Sequence, residues 1–294
     1  MDWGRGLIRK LHAAVAPNAS MPFISPFVKG WRGYTKPLIH LHHDLAVSWS
    51  PKAGCTPTVI WFFQQNDLLK AALAHHAFAH RYRTEIHMRS PEYRARNKEL
   101  MRRRGKGFTL LRVVRDPDKR LVSSFRHMVN QPFMDAFAQK KLGINPRETG
   151  LSLRDLAKIL DGEDMGGAGR VDIHFRPQKH PVWDYDFDRV ITLNMDRMDL
   201  NGGLSAVEAE LGLPQTDFAQ LARALKHDAR RYARETPYEG EVPIEDFRFR
   251  KMRDGSFPKA EFLALPLLQQ LARTCYADDF AEVVPGDSAG RLFR

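Results

Sequence analysis

The sequence predicts an α/β fold in which helices flank a central, mostly parallel β-sheet. Two strand–helix units follow one another along the chain, and each joins a short β-rich or apolar run to a segment with helical spacing of its apolar residues. Tandem units of this kind favour parallel strands. The 294 residues suffice for one large α/β domain or two small ones.

The first unit begins with Asp44–Ser50, a β-rich run that ends before Pro51 and predicts a strand. A short loop follows, and the stretch 59–76 places apolar residues at helical spacing, which predicts a buried helix. A strand, a loop of small residues and a helix aim backbone N–H groups and the positive end of the helix dipole at a phosphate.

The second unit is preceded by a brief predicted strand at Arg83–Met88 and by a helix that starts at Ser90 and Pro91 and runs to Arg104. Ser90 is a suitable N-cap, and proline is favoured at the first helical position. The apolar run Phe108–Val114 then predicts a buried strand of a parallel sheet.

After that strand, Asp116 and Pro117 predict a cap and the start of a helix that reaches about Val129. The remaining predicted elements are helices at Ser152–Leu160, Leu204–Leu211, Asp217–Ala233 and Lys259–Thr274, a loop at Gly162–Pro181 and a strand at Arg189–Leu193. We therefore predict an N-terminal extension at 1–43, a main domain at 44–284 and a loose tail at 285–294.

The composition points to an anionic partner, because the formal net charge is +11. The basic residues are dispersed, and the densest cluster, Arg102–Arg104, ends a predicted helix and complements its dipole, so nucleic acid is disfavoured. No CxxC, HExxH or clustered Cys/His set occurs among the 2 cysteines and 12 histidines, so no metal site is predicted. Two distant cysteines fit a reducing, cytoplasmic location.

The N-terminal segment Met1–Ser20 mixes apolar and basic residues but lacks the long apolar centre of a secretory signal. A helix packed on the domain is the favoured interpretation, and a peripheral contact with a membrane surface stays open. No apolar run reaches the roughly 18 residues of a membrane span, so none is predicted.

The first motif, PKAGCT at Pro51–Thr56, is a loop of small residues suited to a phosphate. It is not a Walker P-loop, because GxxxxGK[ST] is absent. Small residues let the backbone close around a phosphate, Thr56 offers a hydroxyl, and Lys52 offers a mobile positive charge. Alone, the motif is equally compatible with an ordinary strand-to-helix turn.

The second motif, VRDPDKRLVS, ends at Ser123 and places Arg115 at a strand end. A guanidinium suits a doubly charged phosphate, because its planar fork bonds two oxygens at once. Two alternatives stay open: Arg115 could pair with Asp116 or another carboxylate, and Ser123 or Ser124 could bond back to the helix backbone. The spacing from Arg115 selects Ser123.

Together the two motifs resemble the sulfotransferase superfamily, which uses 3′-phosphoadenosine 5′-phosphosulfate (PAPS). The PKAGCT form is most similar to the carbohydrate sulfotransferase branch (sulfotransferase family 2) and its bacterial relatives. The resemblance implies a P-loop-NTPase-like three-layer fold, with Arg115 and Ser123 on the 3′-phosphate of the donor. It also implies a 5′-phosphosulfate loop that contains Lys52, Ala53, Gly54, Cys55, Thr56 and Thr58.

Two further segments agree with this resemblance. His174–Gln178, HFRPQ, is similar to the HWxPQ element of the branch, with Phe175 in place of tryptophan. Tyr276–Phe280, YADDF, resembles the element that commonly closes the domain. The resemblance thus extends from about Asp44 to Val283.

The chemistry of sulfuryl transfer calls for the same residue types. Negative charge builds on the phosphate leaving group, so a lysine at the bridging oxygen, here Lys52, lowers the barrier, and the scheme requires no metal. The acceptor would be a hydroxyl group, and the branch resemblance implies a carbohydrate or glycolipid.

The general base is open at this stage. His87, at the end of the predicted strand Arg83–Met88, and His174, in the HFRPQ segment, both have a suitable side chain. A carboxylate such as Glu85, or substrate-assisted chemistry, is the third alternative.

Two other classes of protein remain as alternatives. A kinase-like P-loop enzyme is disfavoured, because the Walker lysine and an acidic magnesium ligand after a strand are both missing. A non-catalytic basic protein that binds nucleic acid or an acidic glycan would show salt-sensitive binding without turnover.

Overall fold

A computed structural model describes residues 34–166, 169, 171–222, 235–251 and 257–283. The predictions for Met1–Ser20 and for the tail at 285–294 lie outside these residues. Of the predicted helix Asp217–Ala233, residues 218–222 are described and helical.

The described residues form an α/β structure around a four-stranded, mostly parallel sheet, as predicted. The strands lie in the order β1-β2-β3-β4; β1 is antiparallel to β2, and β2, β3 and β4 are parallel. The strands are β1 (Leu38–Ile39), β2 (Leu45–Trp49), β3 (Thr109–Val114) and β4 (Arg189–Asn194). The carboxyl ends of β2, β3 and β4 therefore meet at one edge, where ligands bind in such sheets.

Helices connect and cover these strands. They are α1 (Cys55–Gln65), α2 (Leu69–His75), α3 (Ala79–Glu85), α4 (Pro91–Arg103), α5 (Pro117–Asn130), α6 (Asp135–Leu142), α7 (Pro146–Thr149), α8 (Leu153–Leu160), α9 (Leu200–Leu211), α10 (Lys259–Ala264), α11 (Pro266–Cys275) and α12 (Ala277–Val283). Short 3₁₀ turns lie at His87–Arg89, Pro132–Met134 and Pro181–Asp184.

The two faces of the sheet have different chemistry. On one face, alternate strand residues such as Val47, Val113 and Leu193 enter a buried apolar cluster with α1, α2 and α9. The opposite face carries polar groups: Arg112 donates to Thr192 on the neighbouring strand (2.9 Å) and lies over the ring of Trp183. A second apolar cluster surrounds α5, α8, α10 and α11.

Most of the predicted elements are confirmed. Ser90 caps α4 by accepting from the Tyr93 N–H, and Pro91 is its first residue. Ser152 and Asp155 form a capping box at the start of α8. The apolar run in the second unit is strand β3, buried at four of its six positions.

Three predictions differ from the structure. The stretch 59–76 contains the end of α1 and a separate α2, divided by a turn at Asn66–Leu68. Arg83–Met88 is not a strand but the end of α3 and the start of a 3₁₀ turn. Lys259–Thr274 is broken between α10 and α11, because Pro266 disfavours helical backbone at Leu265 and begins a new helix.

Helix α1 is fixed to α9 by a buried carboxylate. Glu208, which is fully buried, accepts hydrogen bonds from the Trp61 indole N–H (2.7 Å), the Gln65 amide (2.8 Å) and the Thr216 N–H (3.1 Å). Helix α1 begins at Cys55, within the first motif, so these bonds fix the helix that follows that loop.

Replacing Glu208 with alanine is expected to lower the free energy of unfolding by about 3 kcal/mol, because it leaves buried donors without an acceptor. Glu210→Ala is the matched control: Glu210 pairs with Arg189 at the exposed surface, and its loss should cost less than about 1 kcal/mol. Urea unfolding measures both. Equal losses in the two variants would contradict the assigned role of Glu208.

Among the described residues, no helix is both long enough and apolar enough to cross a membrane.

Candidate functional site

The first motif forms a tight loop between β2 and α1. Lys52 and Gly54 have left-handed backbone conformations, with φ of 69° and 65°. Such a φ is uncommon for a residue with a side chain and marks a backbone held by its surroundings. A Cβ on Gly54 would lie 3.0 Å from the Leu200 side chain, so the position favours glycine.

The Lys52 side chain is half-buried, and no described residue accepts a hydrogen bond from its ammonium group or pairs with it. The pKa of Lys52 is lowered to about 8, chiefly by burial; Cys55 opposes this shift, and the nearby cations Arg126, Arg115 and Arg120 add to it. A desolvated ammonium group without a counterion is costly, and an anionic ligand would relieve that cost.

The start of α1 lies beside this lysine. Cys55 and Thr56 occupy its first two positions and are half-buried, and first-turn N–H groups have no acceptor within a helix. Ala53 is fully buried and donates its N–H to Ser50. The Thr58 hydroxyl is also buried and donates to the Gly54 carbonyl (2.8 Å), so Thr58 closes the loop from inside.

Arg115 lies at the carboxyl end of β3, on the same edge of the sheet. Its Nε donates to the Asp196 carboxylate (3.2 Å), and its Nη1 donates to the Lys52 carbonyl (3.3 Å). The alternative in which Arg115 pairs with a carboxylate is therefore realised, with Asp196 as the partner. Two of its five N–H groups are used, and those on Nη2 have no partner among the described residues.

The two adjacent serines on α5 have different environments. Ser124 is fully buried and donates its hydroxyl to the His174 carbonyl (2.6 Å). Ser123 is half-buried, and no described group bonds its hydroxyl. The structure thus makes Ser124 a structural residue and leaves Ser123 able to bind a ligand.

The HFRPQ and YADDF segments brace the site. Gln178 accepts from the Arg115 N–H (2.9 Å) and donates to the Arg115 carbonyl (2.8 Å), which fixes the backbone at the end of β3. The Gln178 N–H in turn donates to Asp279 of α12 (2.8 Å). Phe175, where the related segment has tryptophan, is fully buried in the core.

Arg120 links the same elements from inside. It is fully buried, donates to the carbonyls of Pro51 (3.0 Å) and His174 (3.4 Å), and lies over the ring of Tyr276. One residue of α5 therefore holds the first loop, the HFRPQ segment and the carboxyl-terminal helices together.

His174 belongs to a histidine–carboxylate pair. Its ring nitrogen Nδ1 lies 2.5 Å from Asp172 Oδ1, which also accepts the His174 backbone N–H (3.0 Å). Burial raises the pKa of Asp172, but the hydrogen bonds from His174 outweigh it and hold that pKa below its ordinary value. A histidine oriented in this way can present Nε2 to a proton donor.

Two rings flank His174. The rings of His127 and Phe133 lie 4.6 and 4.9 Å from it. The pKa of His127 is lowered to about 3, chiefly by burial and to a smaller extent by the charge of Lys52. His127 is therefore a neutral ring beside His174, and it is within electrostatic range of the Lys52 ammonium group.

His87 lies elsewhere. It is 3% exposed in the 3₁₀ turn, and its ring contacts Phe62, Phe63 and Tyr93 at 5.2 to 5.6 Å. Burial lowers the pKa of His87 to about 4. The strand on which its candidacy rested is absent, and its surroundings are those of a packed aromatic ring. Glu85, a partly exposed residue of α3, pairs with Arg81 and His75.

Sequence reasoning missed two groups that the fold brings to this site. They are Asp172 beside His174 and Asp196 beside Arg115. The spacing Asp172-x-His174 was a local signal. Asp196 follows a different strand, and no sequence pattern links it to the motifs.

Among the described residues, no group of three or more His, Cys, Asp or Glu side chains could hold a metal ion. A family model described as "Sulfotransferase family" matches residues 41–251, most of the chain. That range contains the first loop, Arg115, Ser123 and His174. No curated protein and no solved structure matches the chain.

Proposed function

Because the chain belongs to the sulfotransferase family, in its family 2 branch, we propose that it moves a sulfuryl group from PAPS to a hydroxyl group of a carbohydrate or glycolipid. The observation that carries the proposal is a cationic edge of the sheet, where Lys52 has no counterion among the described residues, and Arg115 and Ser123 have donors that no described group accepts. Sulfotransfer in general follows from the family; the donor and the acceptor class are the proposed parts.

The first loop fits the 5′ end of the donor. The Lys52 ammonium group and the first N–H groups of α1 would bind its phosphosulfate, as helix N-termini bind anions generally. PAPS supplies an activated sulfuryl group attached to a phosphate leaving group. Lys52 then stabilises the negative charge that develops on that phosphate.

Arg115 and Ser123 fit the 3′-phosphate. The guanidinium retains the Nη2 donors, and Asp196 fixes its orientation through Nε (3.2 Å). Ser123 adds a neutral hydroxyl, whereas Ser124 is engaged with His174. A 3′-phosphate is absent from ATP and ADP, so this half of the site distinguishes the proposed donor from common nucleotides.

His174 is the proposed general base. Asp172 orients its ring and stabilises the imidazolium that forms when Nε2 takes the proton of the acceptor hydroxyl. His127 and Phe133 place ring faces beside it, where an acceptor would lie. The carbohydrate or glycolipid assignment is supported by the branch resemblance. Cytoplasmic location and membrane contact through residues 1–20 stay predictions.

Adenosine 3′,5′-bisphosphate is expected to raise the melting temperature more than ADP or ATP at equal concentration, because Arg115 and Ser123 bind the 3′-phosphate. At a concentration of 100 Kd the stabilisation is about 2.7 kcal/mol. Differential scanning fluorimetry measures the shifts.

Two substitutions control this comparison. Ser123→Ala should reduce the advantage of the bisphosphate over ADP by about one hydrogen bond, 0.5–1.5 kcal/mol. Ser124→Ala should lower the melting temperature of the free protein and preserve that advantage. Equal shifts with all three nucleotides would refute the donor assignment, and tight salt-sensitive binding of polyanions without turnover would favour a binding protein.

A further inference from the structure

The carboxylate of Asp196 lies against the proposed 3′-phosphate site and shares its arginine. Asp196 belongs to the turn after β4, and its side chain is 10% exposed. Its Oδ2 accepts from Arg115 Nε (3.2 Å) and from the Asp116 backbone N–H (3.1 Å). The Asp196 backbone N–H donates to the Asn194 side chain (3.0 Å), so the turn holds the carboxylate in a fixed place.

The ion pairs around Asp196 leave only a small excess of positive charge. Asp196 Oδ1 lies 3.7 Å from the Lys119 ammonium group. The neighbouring Asp116 carboxylate pairs with Lys119 (4.0 Å) and with Arg197 (3.4 Å). With Arg115 these side chains form a group of three cations and two carboxylates, which we term the Asp196 cluster. Its net charge of one positive is smaller in magnitude than the charge of a bound phosphate monoester, about −1.5 to −2 at neutral pH.

A phosphate bound to Arg115 would lie close to this carboxylate. The Nη2 donors of Arg115 have no partner among the described residues, whereas Asp196 occupies Nε. Two acceptors on one guanidinium lie within a few ångström of each other, because each is only about 2.9 Å from its donor nitrogen. Like charges at such a distance repel, and water screens a mostly buried carboxylate weakly. Asp196 therefore orients Arg115 and also opposes the anion that Arg115 would bind.

We propose that Asp196 limits the affinity of the site for the 3′-phosphate and thereby speeds release of the bisphosphate product. The inference rests on the proposed function, because the 3′-phosphate of PAPS is retained in adenosine 3′,5′-bisphosphate. Sulfuryl transfer changes only the 5′ end, so a contact with the 3′-phosphate holds the product as firmly as the donor. A carboxylate that weakens this contact shortens the time for which the product stays bound, and product release limits turnover in many enzymes.

Replacing Asp196 with asparagine removes its charge and keeps its hydrogen bonds. An amide oxygen at the Oδ2 position can still accept from Arg115 and from the Asp116 N–H. The amide nitrogen then faces Lys119, whose side chain is 39% exposed and free to turn towards solvent. The bond from the backbone of residue 196 to Asn194 is unchanged, so the turn and the orientation of Arg115 should persist.

Calorimetry with adenosine 3′,5′-bisphosphate and with adenosine 5′-monophosphate tests the proposal, because these two nucleotides differ only in the 3′-phosphate. Asp196→Asn is expected to bind the bisphosphate about tenfold more tightly than the wild-type protein does, as loss of one repelling charge predicts. Its affinity for the monophosphate should change less than about twofold, because Asp196 acts on the 3′ side. The dissociation rate of the bisphosphate, measured by stopped flow, should fall by about the same factor as its Kd.

Asp199→Asn is the matched control. Asp199 caps α9 by accepting from the Gly202 N–H (2.7 Å) and pairs with no described cation, and asparagine caps a helix as well as aspartate does. Its affinities should match those of the wild type. Equal tightening in both variants would overturn the inference, because it would reflect the overall charge of the protein.

Two further outcomes separate this inference from the proposed function. A wild-type protein that prefers the bisphosphate, with an Asp196→Asn variant that binds it equally or more weakly, overturns the inference alone; Asp196 would then only orient Arg115. Equal affinity of the wild-type protein for the two nucleotides refutes the donor site, and the inference with it.

Discussion

Replacing Lys52 with alanine is expected to lower the rate of sulfuryl transfer about 10²–10³-fold, the usual effect of removing one group that stabilises a developing negative charge. The ammonium group is half-buried and has no counterion among the described residues, so its full charge is available to the leaving phosphate. A single-turnover assay with labelled donor measures the loss.

The affinity for adenosine 3′,5′-bisphosphate should fall far less in Lys52→Ala, because Arg115 and Ser123 are unchanged. Lys70→Ala is the control: Lys70 is exposed on α2, away from the sheet edge, and its loss should leave the rate unaltered. A near-normal rate in Lys52→Ala would show that Lys52 does not stabilise the leaving group.

The same lysine gives the reaction a pH limit. Burial lowers the pKa of Lys52 to about 8 in the free protein, so the cation is present below that pH and is lost above it. The value of kcat/KM for the donor reports the free protein and should therefore decline above about pH 8. With the donor bound, its negative charge favours the protonated form of Lys52, so kcat should begin to decline at a higher pH than kcat/KM does.

The elements that sequence predicted correctly carry strong local signals. Ser90 and Pro91 mark the start of α4 by chemistry that acts within one turn, and the apolar run of β3 is long enough to exclude a surface strand. Both kinds of signal depend on neighbours in the chain. Tertiary contacts reinforce them but were not needed to recognise them.

The wrong predictions came from segments whose local signal is weak. Arg83–Met88 has a short alternation of polar and apolar residues that suits a strand, yet it pairs with no described strand. His87 instead packs against Phe62 and Tyr93 within a 3₁₀ turn. Pro266 was a visible break in the predicted helix Lys259–Thr274. The apolar residues have helical spacing on both sides of Pro266, so the two helices were predicted as one.

The residues of the candidate site also fall into two groups: those that local motifs indicate and those that only the fold brings together. Lys52, Arg115 and Ser123 belong to two contiguous motifs, so local sequence was enough to propose them, and the parallel sheet brings those motifs to one edge. Asp196 reaches the site through β4, and its role depends on a distance to Arg115 that no spacing in the chain encodes. Sequence left His174 and His87 as alternatives, because the Asp172 partner of His174 and the aromatic neighbours of His87 are set by the fold.

Removing the His174 side chain is expected to lower kcat about 10²–10⁴-fold, the range for loss of a general base. His174→Gly is the informative variant. The backbone carbonyl of residue 174, which accepts from Ser124 and Arg120, is retained, so the brace between α5 and the HFRPQ segment should persist. Steady-state kinetics at saturating donor measures kcat, and bisphosphate affinity should remain within a few-fold of wild type. Added imidazole should restore part of the rate.

Asp172→Asn separates two effects of Asp172 on His174: orientation of the ring and the negative charge beside it. An amide oxygen at position 172 can still accept from the His174 backbone N–H and ring, so the orientation of the ring is largely kept while the negative charge is lost. If the charge stabilises the imidazolium, kcat should fall about tenfold or more without rescue by imidazole. His42→Gln, at an exposed histidine, controls for loss of an imidazole elsewhere. Two outcomes would contradict His174 as the general base: a His174→Gly variant that keeps its rate, or one that imidazole does not rescue while Asp172→Asn is fully active. Either result would favour substrate-assisted chemistry, in which the acceptor itself supplies the base.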